Sequence, residues 1–195
     1  MTSAMLKLYI GIATAVGFIL LIANPTLGNS IQPPVAHTGA AGELDCRACH
    51  MDGPANPDTG RLILDGLPDR YIPGQRYVLT VTLMYPHMER AGFQLSARFP
   101  DGPSKGEQAG GLVGQDNRVQ VVVDQTNEIQ YVQHSEAGMD LTAPAEASWR
   151  FVWQAPDRFD AAVVFNASGN GANYDDSEFG DAVFLLTQHV AGLGP

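Results

Sequence analysis

Two cysteines and a histidine stand within five residues, Cys46-Arg47-Ala48-Cys49-His50. Two intervening residues set a pair of sulfur atoms at the separation of the two vinyl groups of a haem, so both thiols can add across them as thioethers. The histidine directly after the second cysteine then reaches the iron from one face. Cys46 and Cys49 are the expected haem attachment points and His50 the expected proximal ligand, with one covalent haem c. Competing uses of the pair need other surroundings. A thioredoxin-type redox disulfide needs a βαβ setting. A zinc site needs two further ligands, which would have to be non-cysteine because the chain holds only these two cysteines. A Cys46–Cys49 disulfide closes a very small loop and stabilises little.

A sixth ligand has several candidates: His37, Met84, His87, Met88, His134, Met139 and His189. Met51 adjoins His50 and is badly placed for the opposite haem face. His134 follows the expected strand Ile129–Gln133, a rigid mount, while His87 and Met88 lie in the turn Tyr85-Pro86-His87-Met88. Other groupings carry less chemistry. Asp175, Asp176 and Glu178 lack the oxygen spacing and central glycine of a hand-type calcium loop and read as a solvated acidic loop. No nucleophile elbow surrounds Ser96 or Ser135, so nothing argues for a hydrolase.

Haem is attached to such motifs outside the cytoplasm, and the start of the chain suits that. Lys7 precedes the uncharged run Leu8 to Ala23, Pro25 breaks it, and Thr26-Leu27-Gly28 supplies small residues at the two positions a signal peptidase reads. The run is shorter than the ~20 residues of a spanning helix. Residues 1–28 are therefore expected to be a signal peptide, with an uncleaved N-terminal anchor touching the membrane as the alternative. The net charge of -10 leaves no basic stripe for a phosphate backbone and excludes nucleic-acid binding as a function class.

Residues 29–60 lack periodicity. Pro33-Pro34 and Thr38-Gly39-Ala40-Ala41-Gly42 read as an extended linker, leading into the haem-attachment segment. Residues 61–190 carry period-two signals instead. Tyr77, Leu79, Val81 and Leu83 alternate with partners of the other face, as do Phe93, Leu95, Ala97 and Phe99. Val119–Val123, Ile129–Val132, Trp149–Trp153, Ala161–Ala167 and Asp181–Thr187 follow. Turn formers at Pro73-Gly74, Asp101-Gly102-Pro103, Gly110-Gly111, Gly169-Asn170-Gly171 and Gly180-Asp181 separate them. Seven or eight strands at this spacing predict an all-β sandwich with no sizeable helix after residue 30. Trp149 and Trp153 are expected in its core.

From about Gly39 to Thr187 the chain resembles bacterial reelin-domain-like (reeler) proteins that carry an N-terminal haem-type motif. The resemblance rests on Thr38-Gly39-Ala40 before the cysteine motif, Tyr71-Ile72-Pro73-Gly74 with Tyr77, Gly92-Phe93-Gln94-Leu95, and His134 after a short strand. It continues through Trp149-Arg150-Phe151-Val152-Trp153-Gln154-Ala155-Pro156, Val164-Phe165, Ala172-Asn173 and Gly180-Asp181. The chain departs from it in the acidic insertion Tyr174–Phe179. The resemblance implies an immunoglobulin-like, reeler-type β-sandwich outside the cytoplasm. It also singles out His134 as the preferred distal ligand, ahead of His87 and Met88. The expectation is a periplasmic or otherwise extracytoplasmic monohaem electron carrier, not an enzyme, serving redox partner proteins or a membrane-bound electron-transport complex. The alternative is a non-redox envelope binding or structural module with a Cys46–Cys49 disulfide.

Overall fold

A computed structural model describes residues 32–51, 54–158, 161–175 and 177–193. The expected signal segment lies outside them. The chain is an all-β sandwich. Its described strands are β1 (Arg61–Asp65), β2 (Arg70–Tyr71), β3 (Arg76–Met84), β4 (Arg90–Arg98), β5 (Gly111–Gly114), β6 (Val119–Val123), β7 (Gln130–His134), β8 (Glu146–Gln154), β9 (Val163–Ala172) and β10 (Ala182–Gly192). One sheet has the order β1-β3-β8-β5 and the other β2-β10-β9-β4-β7-β6. Helical structure among the described residues is confined to two 3-10 turns, Cys46–Ala48 and Glu136–Met139.

Alternation drives the assembly. On β3, Leu79, Val81 and Leu83 are fully buried, and on β8 so are Trp149, Phe151 and Trp153. They meet Phe93, Leu95 and Ala97 of β4 and Phe165 and Ala167 of β9 from the other sheet. Phe93 lies on Trp149 with ring centroids 4.6 Å apart, and Trp153 meets Phe165 edge-on at 5.0 Å. Both indole N–H groups are satisfied, Trp149 donating to the Gly138 carbonyl and Trp153 to that of Ala109. The core thus contains no orphaned indole.

Two differences from the sequence pattern matter for the site. Gly169-Asn170-Gly171 is not a turn but the last third of β9, paired with Gly92 and its neighbours on β4. The glycines serve close packing: a Cβ at 169 would stand 3.0 Å from Leu62, and one at 171 would stand 3.1 Å from Tyr85. In addition, the short β1, β2 and β5 form edge or near-edge pairings that the alternation did not mark.

The outer face of the six-stranded sheet is unusual for a sandwich, because its polar residues are buried. Gln94, Ser96, Gln133 and Ser168 have no exposed surface, and Asn170 is 7% exposed. The N-terminal segment covers them.

Candidate functional site

Residues 34–51 cross that outer face, and residues 54–56 follow, the described segments being tied down in succession from β4 to β10. Gln94 donates to the Pro34 carbonyl and accepts from the His37 backbone N–H. Thr38 is buried beside Ser96. Glu43 enters the sheet surface as a nearly buried carboxylate, accepting from the Thr38 hydroxyl (2.5 Å), the Tyr131 hydroxyl (2.5 Å) and the Arg98 guanidinium. Further on, Asn56 donates its N–H to the Val183 carbonyl and accepts from Leu185 N–H, covering part of the free edge of β10. The segment that reads as a linker in sequence is therefore a fixed layer of the fold.

Between these anchors lies the cysteine motif. Asp45 caps the 3-10 turn Cys46–Ala48, its carboxylate accepting from Arg47 N–H and pairing with the Arg47 guanidinium at 2.7 Å. That pairing holds the Asp45 carboxyl below its usual range. Cys46 is anchored on β9, its N–H donating to the Ser168 hydroxyl at 3.1 Å. Both cysteines are free thiols, Cys46 half-buried and Cys49 exposed. Burial pushes the Cys46 thiol up to about 11. A thiol of that kind is protonated at neutral pH, the reverse of the depressed thiolate that thioredoxin-type exchange employs. Among the described residues no three or more His, Cys, Asp or Glu side chains converge as a group able to hold a metal ion.

His50 has the most specific surroundings. Its Nδ1 is 2.5 Å from Oδ2 of Asp181, whose side chain is 1% exposed. Asp181 also accepts from Asn170 Nδ2 at 3.3 Å and, through Oδ1, from the Asn173 backbone N–H at 3.1 Å. With the carboxylate ionised, His50 carries its proton on Nδ1 and leaves Nε2 as the ring's lone-pair nitrogen. Asn170 Nδ2 lies 3.2 Å from the same Nδ1, which places the imidazole directly over β9.

Asn170 pairs across the ladder with Gly92 of β4. A Cβ at Gly92 would stand 2.6 Å from Cε1 and 3.1 Å from Nε2 of His134. The His134 ring therefore fills the space into which a side chain at 92 would project. His134 is the last residue of β7 and 7% exposed, with Nδ1 3.1 Å from the Phe93 N–H and 3.2 Å from its carbonyl. His50 lies against Asn170 of β9 and His134 ends β7, strands about 10 Å apart at the usual strand spacing with β4 between them.

The other candidates lie elsewhere. Met88 is a core residue, 4% exposed and packed on Gly171, and His87 stacks edge-on against Tyr85 in an exposed turn. Met84 accepts from Arg61 on the four-stranded sheet, and His189 is an exposed residue of β10. His37 bonds through its ring to the Val35 carbonyl. Met51, next to His50 in sequence, is exposed, as are Tyr174 and Phe179 of the loop between β9 and β10. Met51 N–H donates to the Glu178 carbonyl, and Arg90 caps the Tyr174 ring at 4.4 Å.

The residues present suit a covalently bound haem. Two unpaired thiols at the required spacing share one turn, and the adjoining imidazole is oriented by a carboxylate. A second imidazole lies across a glycine whose missing side chain makes the room. Asp181, Asn170, Glu43 and Gly92 were not singled out by sequence reasoning. Asp181 and Asn170 stood in apparent turns, and only their pairing across β9 and β10 reveals them.

No family model matches the chain, and no curated protein matches it. Solved structures similar to it include the human F-spondin reeler domain, at 21% identity with a TM-score of 0.47, covering 69% of this chain and 89% of that one. The Reelin-N domain of F-spondin is similar at 19% identity and a TM-score of 0.48, covering 75% and 94%. A cohesin module from a Clostridium perfringens family 33 glycoside hydrolase is similar at 8% identity and a TM-score of 0.46, covering 68% and 96%. At these values the likeness adds nothing to the two-sheet arrangement described above.

Proposed function

We propose that this chain is a monohaem c-type cytochrome that transfers single electrons outside the cytoplasm. Cys46 and Cys49 would carry the thioether bonds, and His50 and His134 would supply imidazole ligands to the iron. The observation that carries this reading is the CxxCH motif clamped onto a sheet, its histidine oriented by buried Asp181; a second buried histidine, His134, ends β7 on the same sheet. Haem supplies reversible one-electron chemistry when bound; the protein sets its ligation, burial and orientation.

The chain's own residues have distinct parts in this. Asp181 holds the proton of His50 at Nδ1, leaving Nε2 to ligate. His134 Nδ1 accepts from the Phe93 N–H; to ligate through Nε2 the ring would have to take the other tautomer, with Nδ1–H donating to the Phe93 carbonyl 3.2 Å away. The Glu43 anchor fixes the attachment segment before any cofactor arrives. Two imidazole ligands leave no open coordination position and keep the potential below that of a His/Met pair. The proposed setting is the periplasm or an equivalent compartment, with redox proteins or a membrane-bound electron-transport complex as partners.

The test is spectroscopic. Full-length protein matured with a c-type haem apparatus should show the reduced α-band of a c-type haem, kept after denaturation. Carbon monoxide should leave the reduced wild-type spectrum unchanged and alter that of His134→Ala. Carbon monoxide binding to wild type would favour an open-site haem enzyme or sensor instead.

A second reading is a non-redox binding or structural module of the cell envelope. It is favoured by the completeness of the fold: the sandwich core and the Glu43 anchor close without a cofactor. In that case Cys46 and Cys49 pair with each other, and mature protein is colourless.

A further inference from the structure

Given the haem attachment proposed above, we infer that Asp181 and Asn170 form a two-residue device that sets the electron density of the iron ligand His50, and with it the redox potential. Asp181 is a positioning residue, acting on the iron through the imidazole. Its Oδ2 lies 2.5 Å from His50 Nδ1, a short charge-assisted contact, and its side chain is shielded from water. A buried carboxylate accepting the Nδ1 proton draws that proton toward itself and makes the imidazole a stronger donor. A stronger donor favours ferric over ferrous iron and lowers the potential.

Asn170 acts in the opposite sense. Its Nδ2 donates to the same Oδ2 at 3.3 Å and draws charge away from the His50 bond. Asn170 itself is 7% exposed, and its Oδ1 has no hydrogen-bond partner among the described residues. An amide held in that position at the cost of an unsatisfied oxygen has a use there. The second carboxylate oxygen, Oδ1, is occupied by the Asn173 backbone N–H. Asp181 is therefore fixed at both ends, and the sharing of Oδ2 between His50 and Asn170 is the adjustable part.

The experiment is redox titration of three full-length, haem-loaded proteins. Asp181→Asn should raise the midpoint potential by at least a tenfold change in the ferric/ferrous ratio, about 59 mV for a one-electron couple. Asn170→Leu, of similar size but unable to donate, should move it the other way. Asp181→Glu, which keeps the carboxylate, should restore a potential closer to wild type than Asp181→Asn does. Opposite signs for the two sites would not follow from a loosened haem pocket. Equal potentials in all variants, or shifts of the same sign at 181 and 170, would overturn the inference. Should Asp181→Asn fail to accumulate, Asn170→Leu and Asp181→Glu still decide, the first by its sign and the second by staying near wild type. Covalent haem in the wild type is scored first, so failure of the haem reading is seen separately from failure of the tuning.

Discussion

Replacing Gly92 by alanine probes the packing of His134 against β4. Its Cβ would stand 2.6, 2.9 and 3.1 Å from Cε1, Nδ1 and Nε2 of His134. Ordinary carbon contacts are near 3.5–4.0 Å, so the ring would have to retreat by about 1 Å. Retreat is opposed because Nδ1 is held by the Phe93 N–H. Overpacking of this kind costs ~1–3 kcal/mol. Loss of the Phe93 hydrogen bond adds ~1 kcal/mol. About 2–4 kcal/mol in total lowers Tm by roughly 4–16 °C for a domain of this size. Gly111→Ala is the control, since nothing lies within 4 Å of its Cβ. The assay is thermal and urea unfolding of both variants, with carbon monoxide difference spectra of the haem-loaded forms. Gly92→Ala should be destabilised and should bind carbon monoxide, because the distal imidazole is displaced, while Gly111→Ala should do neither. A Gly92→Ala protein matching wild type in both measurements would refute the placement of His134 over β4.

Glu43→Gln should destabilise the chain by about 3 kcal/mol, the scale for breaking a buried ion pair; the segment before β1 should become protease-sensitive first, since the Arg98 guanidinium loses the carboxylate charge it pairs with. Without haem, the raised Cys46 thiol makes stability fall with rising pH. The folded chain keeps the proton up to about 11 while the unfolded chain releases it nearer the ordinary 9.0. Denaturation midpoints should therefore drop between about pH 9 and 11 and do so less in Cys46→Ala; identical pH profiles for the two would contradict the burial of this thiol.

The sandwich was legible because its core strands alternate cleanly, with Tyr77, Leu79 and Val81 of β3 paired in register with Trp153, Phe151 and Trp149 of β8. The cysteine motif was legible because its meaning lies in spacing alone. What escaped was decided by contacts between distant residues. Gly169-Asn170-Gly171 has turn composition, yet it is strand because its glycines pack against Leu62, Tyr85 and Met88. Proline and small residues before Cys46 suggest a flexible linker, but Glu43 finds Arg98 55 residues away and Tyr131 88 residues away. His50 and Asp181 are separated by 131 residues and meet only because β9 and β10 lie side by side. No local pattern announces such a pair.

Intact-mass measurement of the exported, mature protein puts the main proposal at risk most directly. Covalent haem predicts an adduct of about 616 Da that survives denaturation and is lost when Cys46 and Cys49 are both replaced by alanine. A mass lower than the reduced polypeptide by two hydrogens, with no adduct, would show the two sulfurs joined to each other and contradict it.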